Sequence, residues 1–252
     1  MQRLAPSNRS FDRFRIGTWR GDDHIALLSP KPGTMPTQPG IARALDEVRH
    51  RGYHSVLTPA LAAGEQQPFH AAGFELHERL HLLRRDLAHL GRLDQYEPVD
   101  GRAGHNMATS ERPAIRRGRR RDIPTALHID GLAFEPFWRL TAEGLAEARL
   151  ATPRSQFRVL GKRQVLGYHV TGCAETTGYL QRLAVHPNHA GHGFGAALVQ
   201  DALQWSQRRG CTTLFVNTQE TNARALSLYL RLGFELETTG LAVLRLDIDG
   251  RA

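Results

Sequence analysis

LAVHPNHAGHGFGAALV, residues 183–199, sets three glycines, Gly191, Gly193 and Gly195, between a β run and a helix start. The β run, YLQRLAV (179–185), stops at His186-Pro187, because proline cannot donate to a strand ladder. Beyond the glycines, AALVQDALQWSQRR has helical periodicity and is closed by Gly210 in the C′ position. Glycine permits positive φ and close backbone approach, and a helix N-terminus favours an anion. The chemistry suits a phosphate or pyrophosphate. It is not a dinucleotide fingerprint, since no acidic residue about 20 positions on ends a suitable strand, and not a P-loop, since no Lys-Ser/Thr follows the last glycine.

Working outward, strand and helix signals alternate. Helices are expected over Ile123–Phe134 and over LTAEGLAEARLA (140–151). SQFRVLG and QVLGYHVTG read as strands joined by a tight GKRQ turn, and TTLFVNT (212–218) reads as a buried strand. Asn222 caps ARALSLYLRL, which ends at Gly233, and AVLRLDI closes the region as a strand. Such alternation predicts an α/β layer fold with part of its sheet parallel.

The first region repeats part of this order. ALDEVRHRGYHSVLT (44–58) parallels ALQWSQRRGCTTLFV (202–216), and GFEL occurs at 73–76 and 233–236. Both copies end in a strand-like run, LHLLRRDL and LAVLRLDI. Between the copies, 95–122 is polar and rich in Gly, Pro and Arg. The expected division is a truncated, degenerate copy over 1–94, a linker over 95–111 and a complete domain over 112–252.

Composition narrows the function. The 252 residues are 40% hydrophobic and 23% charged, with a net charge of +8. Only Lys31 and Lys162 of the 33 basic residues are lysine. Five of the charges are Arg116, Arg117, Arg119, Arg120 and Arg121, so a body-wide nucleic-acid surface is not expected. No apolar run reaches the roughly 18 residues of a membrane span, and the N-terminus has no secretory h-region. Cys173 and Cys211 are too few for a disulfide framework. These features fit a cytoplasmic protein with no membrane partner.

A second motif joins the first. NARALSLYLRLGF (222–234) follows Val185-His186-Pro187, Gly193 and Gly195, and together they resemble the GNAT superfamily of N-acetyltransferases. That pattern is Val-x-Pro, Arg/Gln-x-x-Gly-x-Gly/Ala, then Asn-x-x-Ala-x-x-Leu-Tyr-x-x-x-Gly-Phe. The resemblance covers about 112–248 and is strongest to the ribosomal-protein alanine acetyltransferase branch. The tandem layout resembles the mycothiol synthases, where the C-terminal domain carries the chemistry. It implies a GNAT-like mixed central sheet flanked by helices, preceded by the truncated half.

The resemblance also implies a site. The pantetheine arm of acetyl-CoA would pair with Leu183, Ala184 and Val185. The pyrophosphate would lie over Ala190, Gly191, His192, Gly193, Phe194, Gly195 and Ala196, with Asn222 nearby. Ala190 departs from the pattern, standing where Arg or Gln begins the loop. An amine acceptor, a small molecule or a peptide N-terminus, would attack the thioester directly. A backbone N–H near Val185 would stabilise the developing oxyanion, an effect of about 3–4 kcal/mol per donor. Tyr229 would be the general acid.

The base is less defined. The branch's acidic residue, twelve before the tyrosine, is Asn217 here, and another acidic site of the family is Gln181. Glu175 is the nearest carboxylate and the candidate base. The amides also favour an alternative reading, an acyl-CoA-binding regulatory or scaffold protein. His186, His189 and His192 form an HxxHxxH string, but no second cluster completes a four-ligand zinc site, so no metal is expected. In the first copy Phe69 stands where Tyr229 stands in the second, and phenylalanine has no proton to donate.

Overall fold

The computed structural model describes residues 14–31, 33–88 and 114–248. The expected linker, 95–111, lies outside these. The described chain forms two compact units, and neither is one continuous stretch.

The first unit holds the described residues up to Leu82, Thr218–Asn222 and those from Glu237 on. Its strands are β1 (Phe14–Trp19), β2 (Asp22–Pro30), β3 (Ser55–Leu57), β4 (Leu61–Ala62), the first part of β5 (Glu75–Asp86) and β12 (Leu241–Asp247). β2 and β3 are parallel, while β12 pairs antiparallel with β3, β4 and β5. Helices α1 (Gln38–His50) and α2 (Ala63–His70) pack on this sheet. Ile41, Ala44, Leu45 and Val48 of α1 join Phe14, Val56, Phe69 and Phe74 in one core cluster. That i, i+3, i+4, i+7 spacing is what makes the helix amphipathic.

The second unit holds the described residues of Leu83–Asn217 and Ala223–Leu236. Strands β6 (Ile115–Arg117), β7 (Arg154–Leu160), β8 (Gly167–Ala174) and β9 (Thr177–Val185) form an antiparallel run. β10 (Thr213–Gln219) then joins β9 in parallel, and β11 (Glu235–Leu236) pairs with the end of β5. Helices α3 (Ile123–Ala133) and α4 (Ala142–Leu150) cluster with Phe157, Tyr168, Val170 and Ala184. Helices α5 (Phe194–Arg208) and α6 (Ala223–Arg231) share a different cluster with Leu83, Leu87, Leu180, Leu214 and Val216. On β9 the neighbours Leu183 and Ala184 thus feed different helix layers, as strand geometry requires.

The duplication is visible in backbone detail. Gly52 and Gly210, which follow α1 and α5, have φ of +79° and +80°. Gly73 and Gly233, which follow α2 and α6, have φ of +90° and +75°. The Phe74 N–H donates to the Phe69 carbonyl as the Phe234 N–H donates to that of Tyr229.

Two features depart from the sequence reading. First, the ends of the two copies change units, which the contiguous division at 94 and 112 did not anticipate: β5 stays with the first unit up to Leu82, but its end, with Leu83 and Leu87, belongs to the core of the second, and β12 to the sheet of the first. Each copy's final run is a good strand, and periodicity says nothing about which sheet receives it. Second, GKRQ is not a tight hairpin turn. Gly161 has φ +112°, a Cβ on it would collide with the Gln164 carbonyl, and β8 begins only at Gly167.

Candidate active site

The site is built where β9 and β10 part. Their parallel pairing runs from Thr213↔Thr177 to Val216↔Leu180 and stops, while β9 continues beside β8 to Val185. At the same level β9 is bulged against β8, with Val170 opposite Arg182 and Thr171 opposite Leu180, which leaves Gln181 as the extra residue. A bulge re-aims the strand and ends regular pairing. Leu183, Ala184 and Val185 therefore present, toward β10, a backbone edge that the ladder does not use.

Beyond Val185 the chain makes a short 3-10 turn, Pro187–His189, and reaches Ala190. Gly191 and Gly193 follow in the left-handed region, at φ +81° and +76°. Gly193 is the N-cap of α5 and supplies no side chain to it, so no side chain competes for the helix's open donors. The first helical bond there is Ala197 N–H to the Gly193 carbonyl, leaving the N–H groups of Phe194, Gly195 and Ala196 without an intrahelical partner. No acidic residue lies in the first turn. A Cβ on Gly191 or Gly193 would meet nothing within 4 Å, so the cradle is open.

Tyr229 is joined to this cradle through packing. A Cβ on Gly195 would lie 3.2 Å from Leu228, so the first turn of α5 abuts the residue before Tyr229. Leu183, Ala196 and Leu228 pack against the core cluster that contains Tyr229. Tyr229 is 6% exposed, its ring lies 5.6 Å from that of Phe234, and burial raises its pKa above the ordinary phenol value. The phenol keeps its proton at neutral pH. Asn222 directly precedes α6, in the segment that clusters with the first unit.

The other expected residues separate. Glu175 sits exposed in the turn between β8 and β9, at φ +51°. Val185 is ten positions further along the chain, roughly 30 Å at the strand rise of about 3.3 Å per residue, so the structure does not bring Glu175 to the cradle. Gln181 and Asn217, by contrast, are the first residues past the last β9–β10 pair. The side-chain oxygen of Gln181 is buried and has no hydrogen-bond partner among the described residues.

Two buried polar clusters were invisible to sequence reading. On the α3 side of β9, Arg182 donates from Nε and Nη2 to both oxygens of Asp130 at 2.7 Å. It also donates to the Trp138 carbonyl, and its guanidinium lies 3.4 Å from the Phe134 ring centroid. Asp130 is fully buried and further accepts from the Leu140 N–H and the Tyr168 hydroxyl. The Pro136–Trp138 turn is thereby fixed over β9 beside the bulge.

On the α5 side, Asp201 accepts from Arg158 at 2.9 and 3.0 Å and from Nε2 of fully buried His169 at 3.0 Å. Burial works to raise the Asp201 carboxyl, but the bonds from His169 and Arg158 outweigh it and hold it at about 2. Burial lowers His169, so the ring is neutral: its Nε2–H donates to Asp201 and its Nδ1 accepts from the Thr171 hydroxyl at 2.8 Å. This cluster ties α5, and with it the cradle, to β7 and β8.

Cys173 and Cys211 lie in the core with their sulfurs 2.7 Å apart, and burial pushes the Cys211 thiol up to about 12. Neither is placed to act as a nucleophile on a bound ligand. Arg116 of the arginine run donates to both oxygens of Asp122, which this bond holds at about 2. Among the described residues there is no group of three metal-ligating side chains and no helix long and apolar enough to cross a membrane.

Comparison with known proteins finds similarity to acetyltransferases. The model of the Acetyltransferase (GNAT) family matches residues 144–234. The chain is 28% identical over 119 residues to the ribosomal protein bS18-alanine N-acetyltransferase of Escherichia coli K12, covering 46% of this chain and 77% of that one. It is 27% identical over 141 residues to the mycothiol acetyltransferase of Rhodococcus opacus, covering 49% and 46%. A tandem GNAT protein from the clavulanic acid biosynthesis pathway superposes with a TM-score of 0.61 at 15% identity, over 92% of this chain and 77% of that one. A GCN5-related N-acetyltransferase from Kribbella flavida gives 0.58 at 15% identity, over 94% and 91%.

Proposed function

Because residues 144–234 are a GNAT acetyltransferase domain, we propose that the chain transfers the acetyl group of acetyl-CoA to a primary amine in a ternary complex at the β9–β10 divergence. The observation that carries this reading is the convergence of an unpaired strand edge, an uncapped helix start and a buried tyrosine within one unit. Acetyl-CoA, when bound, supplies an activated thioester carbonyl and a thiolate leaving group.

The protein's residues divide the remaining work. The edge of Leu183, Ala184 and Val185 aligns the pantetheine arm by main-chain bonding. The turn from Ala190 to Ala196 holds the pyrophosphate with backbone N–H groups, and Asn222 contributes from the residue before α6. Fixing both reactants in this way is worth several kcal/mol by proximity alone. Tyr229 keeps its proton and delivers it to the departing sulfur. Glu175 is too far along β9 to serve as base, so the attacking amine loses its proton to water or through the polar groups at the divergence. Residues 1–94 form a non-catalytic copy. In it Gly40 of the helix start is closed off by the Phe14 ring, 3.2 Å from where a Cβ would be.

The acceptors named for the relatives, a ribosomal-protein alanine and mycothiol, make a peptide N-terminus or a small amine the acceptors to test first. The experiment is a panel of both with acetyl-CoA, reading CoA release. Tyr229→Phe is expected to lower kcat about 10²–10³-fold with acetyl-CoA affinity unchanged; unaltered turnover would remove the acid assignment. A second reading rests on Gln181 and Asn217, amides where carboxylates are usual: an acyl-CoA-binding regulator. Tight acetyl-CoA binding with no CoA release across the panel would favour it.

A further inference from the structure

The cradle has open backbone donors but lacks, at Ala190, the cationic or amide side chain that the family pattern sets there. What surrounds it instead is imidazole. His186, His189 and His192 stand in ring contact, with centroids 5.7 and 6.3 Å apart. His189 and His192 also flank Phe194, the first residue of α5, at 6.2 and 5.8 Å. Two imidazoles therefore stand against the first residue of α5.

Their hydrogen bonds give them different tasks. His186 Nδ1 accepts the Asn188 N–H at 3.2 Å, which commits that ring to the turn. His192 Nδ1 donates to the Ala190 carbonyl at 2.9 Å, which fixes the ring and leaves Nε2 as a second nitrogen for a ligand or a proton. Among the described residues, the His189 side chain has ring contacts alone.

We propose that His189 and His192 supply the side-chain charge for the cofactor's pyrophosphate, making cofactor affinity dependent on pH across neutrality. This rests on the acetyl-CoA reading above. Histidine is the side chain whose charge ordinarily changes between pH 5 and 8, whereas an arginine in the same place would stay charged. Protonation adds cations beside a diphosphate that is fully ionised throughout that range, so affinity rises as pH falls.

The charged groups on neighbouring elements do not oppose this. On α3, which packs against the Pro187–His189 turn, they are His128, which is exposed, and Asp130, which is held by Arg182. The β7–β8 connection, bonded to the turn through His186 N–H and the Leu166 carbonyl, carries Lys162 and Arg163. β8 contributes His169 and β9 contributes Arg182, each paired to a buried carboxylate. The first carboxylate of α5 is Asp201, two turns on and bonded to Arg158 and His169.

Calorimetric titration with acetyl-CoA and with dephospho-CoA, at fixed ionic strength and at pH 6 and 8, tests the inference. Dephospho-CoA lacks the 3′-phosphate, a monoester that itself titrates near pH 6. Its Kd is expected to be about fivefold to tenfold lower at pH 6 than at pH 8, the effect of two partly exposed charges at a helix start. His189→Ala/His192→Ala should bind at both pH values with that ratio near one. Ala190→Arg should tighten binding at pH 8 and shrink the ratio. Equal wild-type affinity at the two pH values, or a ratio that survives in the double variant, would overturn the histidine assignment while leaving acetyl-CoA binding intact. Failure of either CoA to bind at any pH would instead overturn the cofactor reading together with this one.

Discussion

Asp201 and His169 show how a single pair of residues links the cradle to stability. In the unfolded chain an aspartate has an ordinary pKa near 3.9, against about 2 for Asp201 in the fold. Its contribution is therefore present above pH 4 and lost as pH falls toward 2, about 2 kcal/mol in all. For His169 burial lowers the folded pKa below 6.5, so below that pH the unfolded chain binds a proton that the native ring does not. Stability thus falls in two steps on acidification, the first beginning below pH 6.5 and the second below pH 4. Thermal unfolding from pH 8 to 3 should show both steps, and His169→Gln should remove the first. Tyr229 and the loop glycines were legible in the sequence because their motif is local. Asp130 and Arg182, in contrast, are 52 positions apart, and nothing in local spacing announces that an aspartate on one helix meets an arginine on a distant strand.

At the scale of elements, the two helices of the site depend on one close approach. Gly195 faces Leu228 with room for little more than a hydrogen. Gly195→Val would push the start of α5 away from α6, costing about 1–3 kcal/mol as overpacking, and would shift Tyr229 relative to the cradle. Urea unfolding should report the loss of stability, and kcat should drop with it. Gly193→Ala is a different case. The space around it is open, but φ +76° is unfavourable for a Cβ, with a cost of about 1–2 kcal/mol; its effect should fall on acetyl-CoA affinity, because the N-cap geometry aims the open donors. Sequence periodicity identified α3, α4, α5, α6 and the strands between them because each buries one face. It failed at GKRQ, where Gly161 and the Gln164 carbonyl dictate a wider connection, a constraint that only three-dimensional packing imposes.

For the molecule as a whole, the repeat was readable as a succession of elements, and the two families of positive-φ glycines bear the same imprint. The exchange of final strands was not readable, since LHLLRRDL and LAVLRLDI satisfy the same pattern and either sheet could accept either one. The exchange has a direct test. Expressed alone, 112–252 lacks Leu83 and Leu87 of its own core and carries β12 without β3 and β5. It is expected to give no cooperative unfolding transition, and 1–94 alone is expected to behave likewise. Co-expression of the two pieces should recover a complex that unfolds cooperatively. Cooperative unfolding of either piece by itself would show that the exchanged strands are dispensable.

The position of β12 also sets an order of events on the ribosome. Its partners β3, β4 and β5 are complete by Asp86, whereas β12 begins only at Leu241. The first unit's sheet thus keeps a gap in its middle until Leu241–Asp247 has been made, its β3 and β5 edges open to wrong partners. The second unit draws on nothing later than Leu236 and can close sooner. The unit whose first strands are made earlier is the one that finishes folding later.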